Sequence, residues 1–222
     1  MFAAWEAGVW KALHGRIDLA MVVGASAGAW NGWLIAAGAS PNELADAWLD
    51  PAAARVLVPS FRGTELHAKA RDLFERYQPR VRYGLTVTAL PRMRQHLVQG
   101  HAITWRHLAA TCSIPLVFPP VGIDGASYVD GGFGGALPLW AAEEMGATRC
   151  VALNCLNTFP FRALRKVMPP RRPSARLHVE LIEPSKPLGS LREAHVWSAE
   201  NVRRWIDLGE RDGNRALHSI TM

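Results

Sequence analysis

The chain has 222 residues, nearly half of them hydrophobic and a fifth charged, with a formal net charge of +6. One α/β domain spanning residues 1–222 is the natural reading of that length, and no Ser/Gly linker, repeat or low-complexity tract divides it. Cys112, Cys150 and Cys155 are odd in number and lack metal-ligand spacing, and three unpaired thiols favour a reducing, cytoplasmic setting, with peripheral membrane association as a further expectation.

Strands and helices alternate along the chain. Residues 4–14 read as helix and 18–24 as strand. Helices follow at 27–37 and 41–49, the second opened by Ser40-Pro41-Asn42-Glu43 with proline at its first position. A polar helix is predicted at 64–77, a strand at 81–89, a helix at 105–112 and a strand at 126–129. Helix 138–145, strand 149–154, strand 176–182 and helix 199–208 complete the series. Strands separated by helices imply a largely parallel sheet between helical layers, with sites at the carboxyl ends of strands. The N-terminus does not read as a signal peptide, because Glu6 interrupts it and no charged n-region precedes an apolar core.

The apolar run Leu19–Val23 feeds Gly24-Ala25-Ser26-Ala27-Gly28. Glycines on both sides of a serine allow a sharp strand-to-helix turn that pushes the hydroxyl outward, and the helix N-terminus behind it offers free N–H groups to an oxyanion. Alone, the pentapeptide is weak. Residues 19–39 carry only Ser26 and Asn31 as polar groups, so a membrane-spanning helix with Gly24, Gly28 and Gly32 at small-residue spacing is an equal alternative. A second motif, Tyr128-Val129-Asp130-Gly131-Gly132, ends a short strand in a carboxylate followed by two glycines. By itself it reads as an Asp-Gly turn. Paired with the serine turn, it reads as the base for that serine.

With these motifs the chain resembles the patatin-like phospholipases, a family of serine lipid acyl hydrolases. The residues that carry the likeness are Glu6–Leu13 (EAGVWKAL), Gly24–Gly28, Ala109–Pro120 (AATCSIPLVFPP), Tyr128–Gly132, Pro138 and Val179–Leu188 (VELIEPSKPL), in the family's order. They extend from about residue 3 to about residue 213. The resemblance implies a three-layer α/β/α fold with a mainly parallel central sheet. It implies a Ser26–Asp130 dyad that forms an acyl-enzyme, with the Ala27 N–H as oxyanion donor, a phospholipid or other acyl-ester lipid as substrate, and no metal or cofactor.

The family usually opens with a strand and a glycine-rich loop, G-G-G-x-[KR]-G, that serves the oxyanion hole. Residue 1 of this sequence already falls in the helix after that loop. The expectation is either a start upstream of Met1 or a non-catalytic or weakly active, membrane-associated member, since one lost oxyanion donor typically costs ~10²–10³ in rate. After Asp-Gly-Gly the family often has asparagine, where this chain has Phe133-Gly134-Gly135-Ala136.

Other chemistries fit less well. An α/β-hydrolase triad would use His178, His195 or His218 after Ser26 and Asp130, but that fold needs several strands before its nucleophile. An acyl-carrier acyltransferase needs a partnered histidine that the sequence does not point to. His96, His101 and His107 lack metal-helix spacing, and no Gly-Lys-Ser/Thr marks a phosphate loop. The positive charge lacks any nucleic-acid-binding module and suits an anionic membrane surface. Arg162, Arg165, Lys166, Arg171, Arg172 and Arg176 around Val167–Pro170 read equally as an interfacial loop and as a solvated one. Trp30 and Trp33 read as core residues before acyl-pocket lining.

Overall fold

The structure is a computed structural model, and it describes residues 1–56, 63–133, 135–156 and 171–220. Helices α1 (Ala4–Leu13), α2 (Ala27–Ala36), α3 (Pro41–Leu49), α4 (Ala52–Val56), α5 (Thr64–Arg76), α6 (Trp105–Ala110), α7 (Leu139–Glu144), α8 (Leu191–His195) and α9 (Ala199–Ile220) accompany strands β1 (Met21–Gly24), β2 (Arg82–Ala89), β3 (Arg94–Gln99), β4 (Val121–Ile123), β5 (Ala126–Val129), β6 (Arg149–Leu153) and β7 (His178–Ile182). The serine-turn run is therefore split between β1 and α2. Among the described residues no helix is long and apolar enough to cross a membrane.

The sheet is mixed. β1 runs parallel to β2, and β6 parallel to β7, whereas β2 pairs antiparallel with β3 and β5, and β4 with β5. Short connections dictate the antiparallel pairs: Asp124-Gly125 turns β4 directly into β5, and a few residues turn β2 into β3. β3 occupies one edge of β2 along Gly84–Ala89. β1, on Arg82–Leu85, and β5, on Thr88–Ala89, must therefore share the other edge. They run toward each other along it, and their carboxyl ends converge beside Thr86 and Val87.

Helices cover both faces. Tyr83 reaches α2, donating its hydroxyl to the Ala29 carbonyl at 2.6 Å. Its neighbour Gly84 faces α7, where a Cβ would stand 2.5 Å from Met145 Sδ. Adjacent strand residues point to opposite faces, so α2 and α7 enclose β2 as outer layers. The core around Trp5, Trp33, Leu44, Leu85, Val87, Leu108 and Trp205 is continuous. Trp33 lies inside it, its indole N–H bonded to the Leu73 carbonyl at 3.0 Å. Trp30 is half-buried and donates to the Leu108 carbonyl at 2.7 Å. α1 and α9 approach backbone to backbone: a Cβ at Gly8 would overlap the Ile206 carbonyl, and one at Gly209 the Trp5 carbonyl.

Candidate active site

β1 ends at Gly24, and the chain turns through Ser26 into α2. Gly24 has no alternative there, because a Cβ would lie 2.5 Å from Ala29 Cα and 2.6 Å from the Gly28 carbonyl oxygen. Ser26 itself takes φ 53° and ψ −136°. A non-glycine residue at positive φ stores of order 1–3 kcal/mol and must be held by its surroundings. The clamp is visible: the Ser26 N–H donates to Thr111 Oγ1 at 2.9 Å, and Thr111 is fully buried at the end of α6. The Thr111 carbonyl in turn accepts the Gly131 N–H at 3.1 Å. One residue thus ties the serine turn to the aspartate loop. Thr111 falls inside the Ala109–Pro120 motif, but its bond to Ser26 has no local signal, since the two lie 85 positions apart.

Asp130 follows β5 and is 6% exposed. Its backbone N–H donates to the Ser113 carbonyl at 2.9 Å, and its carbonyl accepts from Thr88 Oγ1 at 2.8 Å. Gly131 lies so close to β2 that a Cβ would overlap the Thr86 carbonyl oxygen. The Gly132 N–H donates to Asp130 Oδ1 at 2.7 Å, leaving Oδ2 to accept the Ser26 hydroxyl at 2.6 Å. The two predicted residues are thereby brought together, one from each converging strand. Burial pushes the Asp130 carboxyl up to about 6, against the hydrogen bonds from Ser26 and Gly132 that favour its charged form. The Asp130 side chain has no histidine partner among the described residues. His178 instead meets Glu180 at 2.9 Å on β7, and His195 and His218 lie in the last turns of α8 and α9.

Ala25 is buried under the turn, while Ser26, Ala27 and Gly28 remain half-exposed. The Ala27 and Gly28 N–H groups find no acceptor among the described residues, so both are free at the positive end of α2. Behind this turn, half-buried Glu6 accepts hydrogen bonds from Asn31 Nδ2 at 2.9 Å and from the Cys155 thiol at 3.2 Å. Its pKa is raised, burial outweighing those bonds. The Cys112 thiol beside Thr111 is pushed up by burial and then by the Asp130 charge, which keeps it protonated and inert. Among the described residues no group of three His, Cys, Asp or Glu side chains could hold a metal ion.

Gly134 lies outside the described residues, as do Arg162, Arg165, Lys166 and Val167–Pro170. Arg171 is described, and it stacks on Trp140 at 4.3 Å and pairs with Glu144 at 3.5 Å.

A family model described as patatin-like phospholipase matches residues 1–100 and 99–143. The crystal structure of VipD from Legionella pneumophila shares the fold, with a TM-score of 0.52 at 10% sequence identity. The match covers 98% of this chain and 65% of VipD, so the chain spans about two thirds of that neighbour. No curated protein matches the sequence.

Proposed function

The chain belongs to the patatin-like phospholipase family, and on that premise we propose that it is a lipid acyl hydrolase with Ser26 as nucleophile and Asp130 as general base. The observation that carries this reading is the 2.6 Å bond from Ser26 Oγ to the buried Asp130 carboxylate, made at a turn held in positive φ. Asp130 Oδ2 takes the hydroxyl proton as Ser26 Oγ attacks the ester carbonyl. The Ala27 N–H, with Gly28 behind it, receives the charge that develops on the carbonyl oxygen. The tetrahedral species then collapses to an acyl-serine, and Asp130 returns its proton to the departing alcohol. A water, deprotonated by the same carboxylate, releases the fatty acid and restores Ser26. Transfer to a second alcohol would follow the same route.

A carboxylate is a weak base toward a serine hydroxyl, and burial narrows that gap. With its pKa near 6, Asp130 is a stronger base than an exposed aspartate yet remains ionised at neutral pH. Gly132 fixes the other carboxylate oxygen, so the short bond to Ser26 is already aligned before substrate arrives.

The test is hydrolysis of p-nitrophenyl butyrate and of a dispersed phospholipid by the wild type, Asp130→Asn, His178→Ala, His195→Ala and His218→Ala, each checked for folding. The dyad reading expects only Asp130→Asn to lose activity. Loss in one folded histidine variant would point to a triad instead. A folded wild type that turns over neither ester would point to a non-catalytic member of the family.

A further inference from the structure

We propose that the turn at residues 114–118, with the Trp105 cluster beside it, is a docking surface for an anionic lipid bilayer. This rests on the lipid-hydrolase reading for its purpose, since such an enzyme must meet its substrate at an interface.

Leu116 is fully exposed, at 104% of its reference area, and the other exposed large hydrophobic residues described are far less so. The exposure is built in. The Val117 and Phe118 N–H groups both donate to the Ile114 carbonyl, at 3.1 and 2.9 Å, closing a tight turn with Leu116 at its apex. Phe118 anchors the turn in a small core with Leu66 and Cys112, and Ile114 and Val117 pack on its margin. Leu116 sits at φ 70°, a conformation that leucine avoids. The fold thus presents this side chain outward at a conformational cost. Three residues earlier, the Ser113 carbonyl holds the Asp130 N–H. The apex is therefore within ~11 Å of the residue that fixes the base, by the reach of an extended chain.

The neighbouring surface supplies the charge. Gly63, at the start of α5, lies against both Pro119 and His67, and His67 meets Trp105 edge-on with ring centroids 5.8 Å apart. The Trp105 ring carries two exposed guanidiniums, Arg71 at 4.6 Å and Arg106 at 4.8 Å from its centroid. Neither arginine forms an ion pair with a described acid. An apolar apex to insert, an indole for the headgroup level and unpaired cations for phosphates make up a set complementary to an anionic bilayer, on a chain of net charge +6.

Flotation with lipid vesicles tests this without needing turnover. Ser26→Ala protein, which leaves vesicles intact, is mixed with vesicles of phosphatidylcholine alone or of equal parts phosphatidylcholine and phosphatidylglycerol. Binding to the anionic vesicles, weakened by salt, is expected. Leu116→Asp should reduce it about tenfold, and the Arg71→Glu/Arg106→Glu pair at least as much. Circular dichroism establishes that each variant is folded, and the conservative Leu116→Phe should retain binding if Leu116→Asp fails to fold. Equal binding to both vesicle types, or binding unaffected by these substitutions, overturns the proposal. So does concentration-dependent self-association that Leu116→Asp abolishes, which would assign the face to a second copy of the chain. Short-ester hydrolysis by the wild type is read separately: vesicle binding without it removes the hydrolase reading and leaves the surface, and the reverse removes the surface alone.

Discussion

Asp130→Asn should make the protein inactive and more stable at once. An aspartate of this kind has an ordinary pKa of 3.8, and burial raises Asp130 to about 6 in the folded chain. That shift is about two pH units, or about 3 kcal/mol at 1.36 kcal/mol per unit. The folded chain binds the proton more tightly than the unfolded chain, so protonation stabilises the fold. This stabilisation is complete below pH 3.8 and is lost as pH rises through about 6. At pH 8 the wild type therefore carries a buried carboxylate at a cost, and asparagine does not. The neutral amide keeps an acceptor for the Gly132 N–H and a partner for the Ser26 hydroxyl. A gain of ~1–3 kcal/mol at pH 8 is expected, raising Tm by about 2–4 °C per kcal/mol in a chain of this size. The gain should fade toward pH 4. Thermal melts of both proteins across that range, beside p-nitrophenyl butyrate kinetics, are the assay. A destabilised Asp130→Asn at pH 8, or a Tm difference independent of pH, would show that the carboxylate is not held against its own solvation and would refute the reasoning.

Three further outcomes follow from the same geometry. The wild-type kcat/KM should rise with pH through a midpoint near 6 as Asp130 ionises, and a profile flat from pH 5 to 8 would exclude it as the base. Thr111→Val removes the acceptor of the Ser26 N–H without changing shape, so kcat should fall by ~10–100-fold with little change in KM, while Thr111→Ser restores it. Equal kcat for both variants would make that bond idle. Gly131→Ala drives a Cβ into the Thr86 carbonyl and should destabilise by at least ~3 kcal/mol in urea unfolding; a native-like midpoint would show that the loop can move aside.

The serine turn and most helices are legible because their signals are local, whereas the five-residue α4 and α8 are too short for a helical period to register. Ser40, Pro41 and Glu43 mark the start of α3, where Ser40 and Glu43 close a capping box. Glycines around Ser26 announce a turn whose tightness the close Gly24–Ala29 approach explains. β3 carries no local signal because Arg94–Gln99 is largely polar and only half-buried, so no apolar alternation stands out. β4 is only Val121–Ile123, too short for a period to register. With both strands hidden, the mixed pairing of the sheet was hidden too, and with it the head-on approach of β1 and β5. That approach is the reason two motifs a hundred positions apart share one hydrogen bond, and Thr111 belongs to the same class of long-range facts. α9 runs on to Ile220 because Asp212, although buried, is satisfied by Trp5, Ser185 and Arg215, a compensation that only the packed structure shows.

The central claim is that Ser26 is the covalent nucleophile, and reaction with a fluorophosphonate tests it most directly. Intact-mass spectrometry should show a single adduct on the wild type, peptide mapping should place it on Ser26, and Ser26→Ala should remain unmodified. Equal labelling of wild type and Ser26→Ala, or an adduct mapped to another serine, would contradict the account.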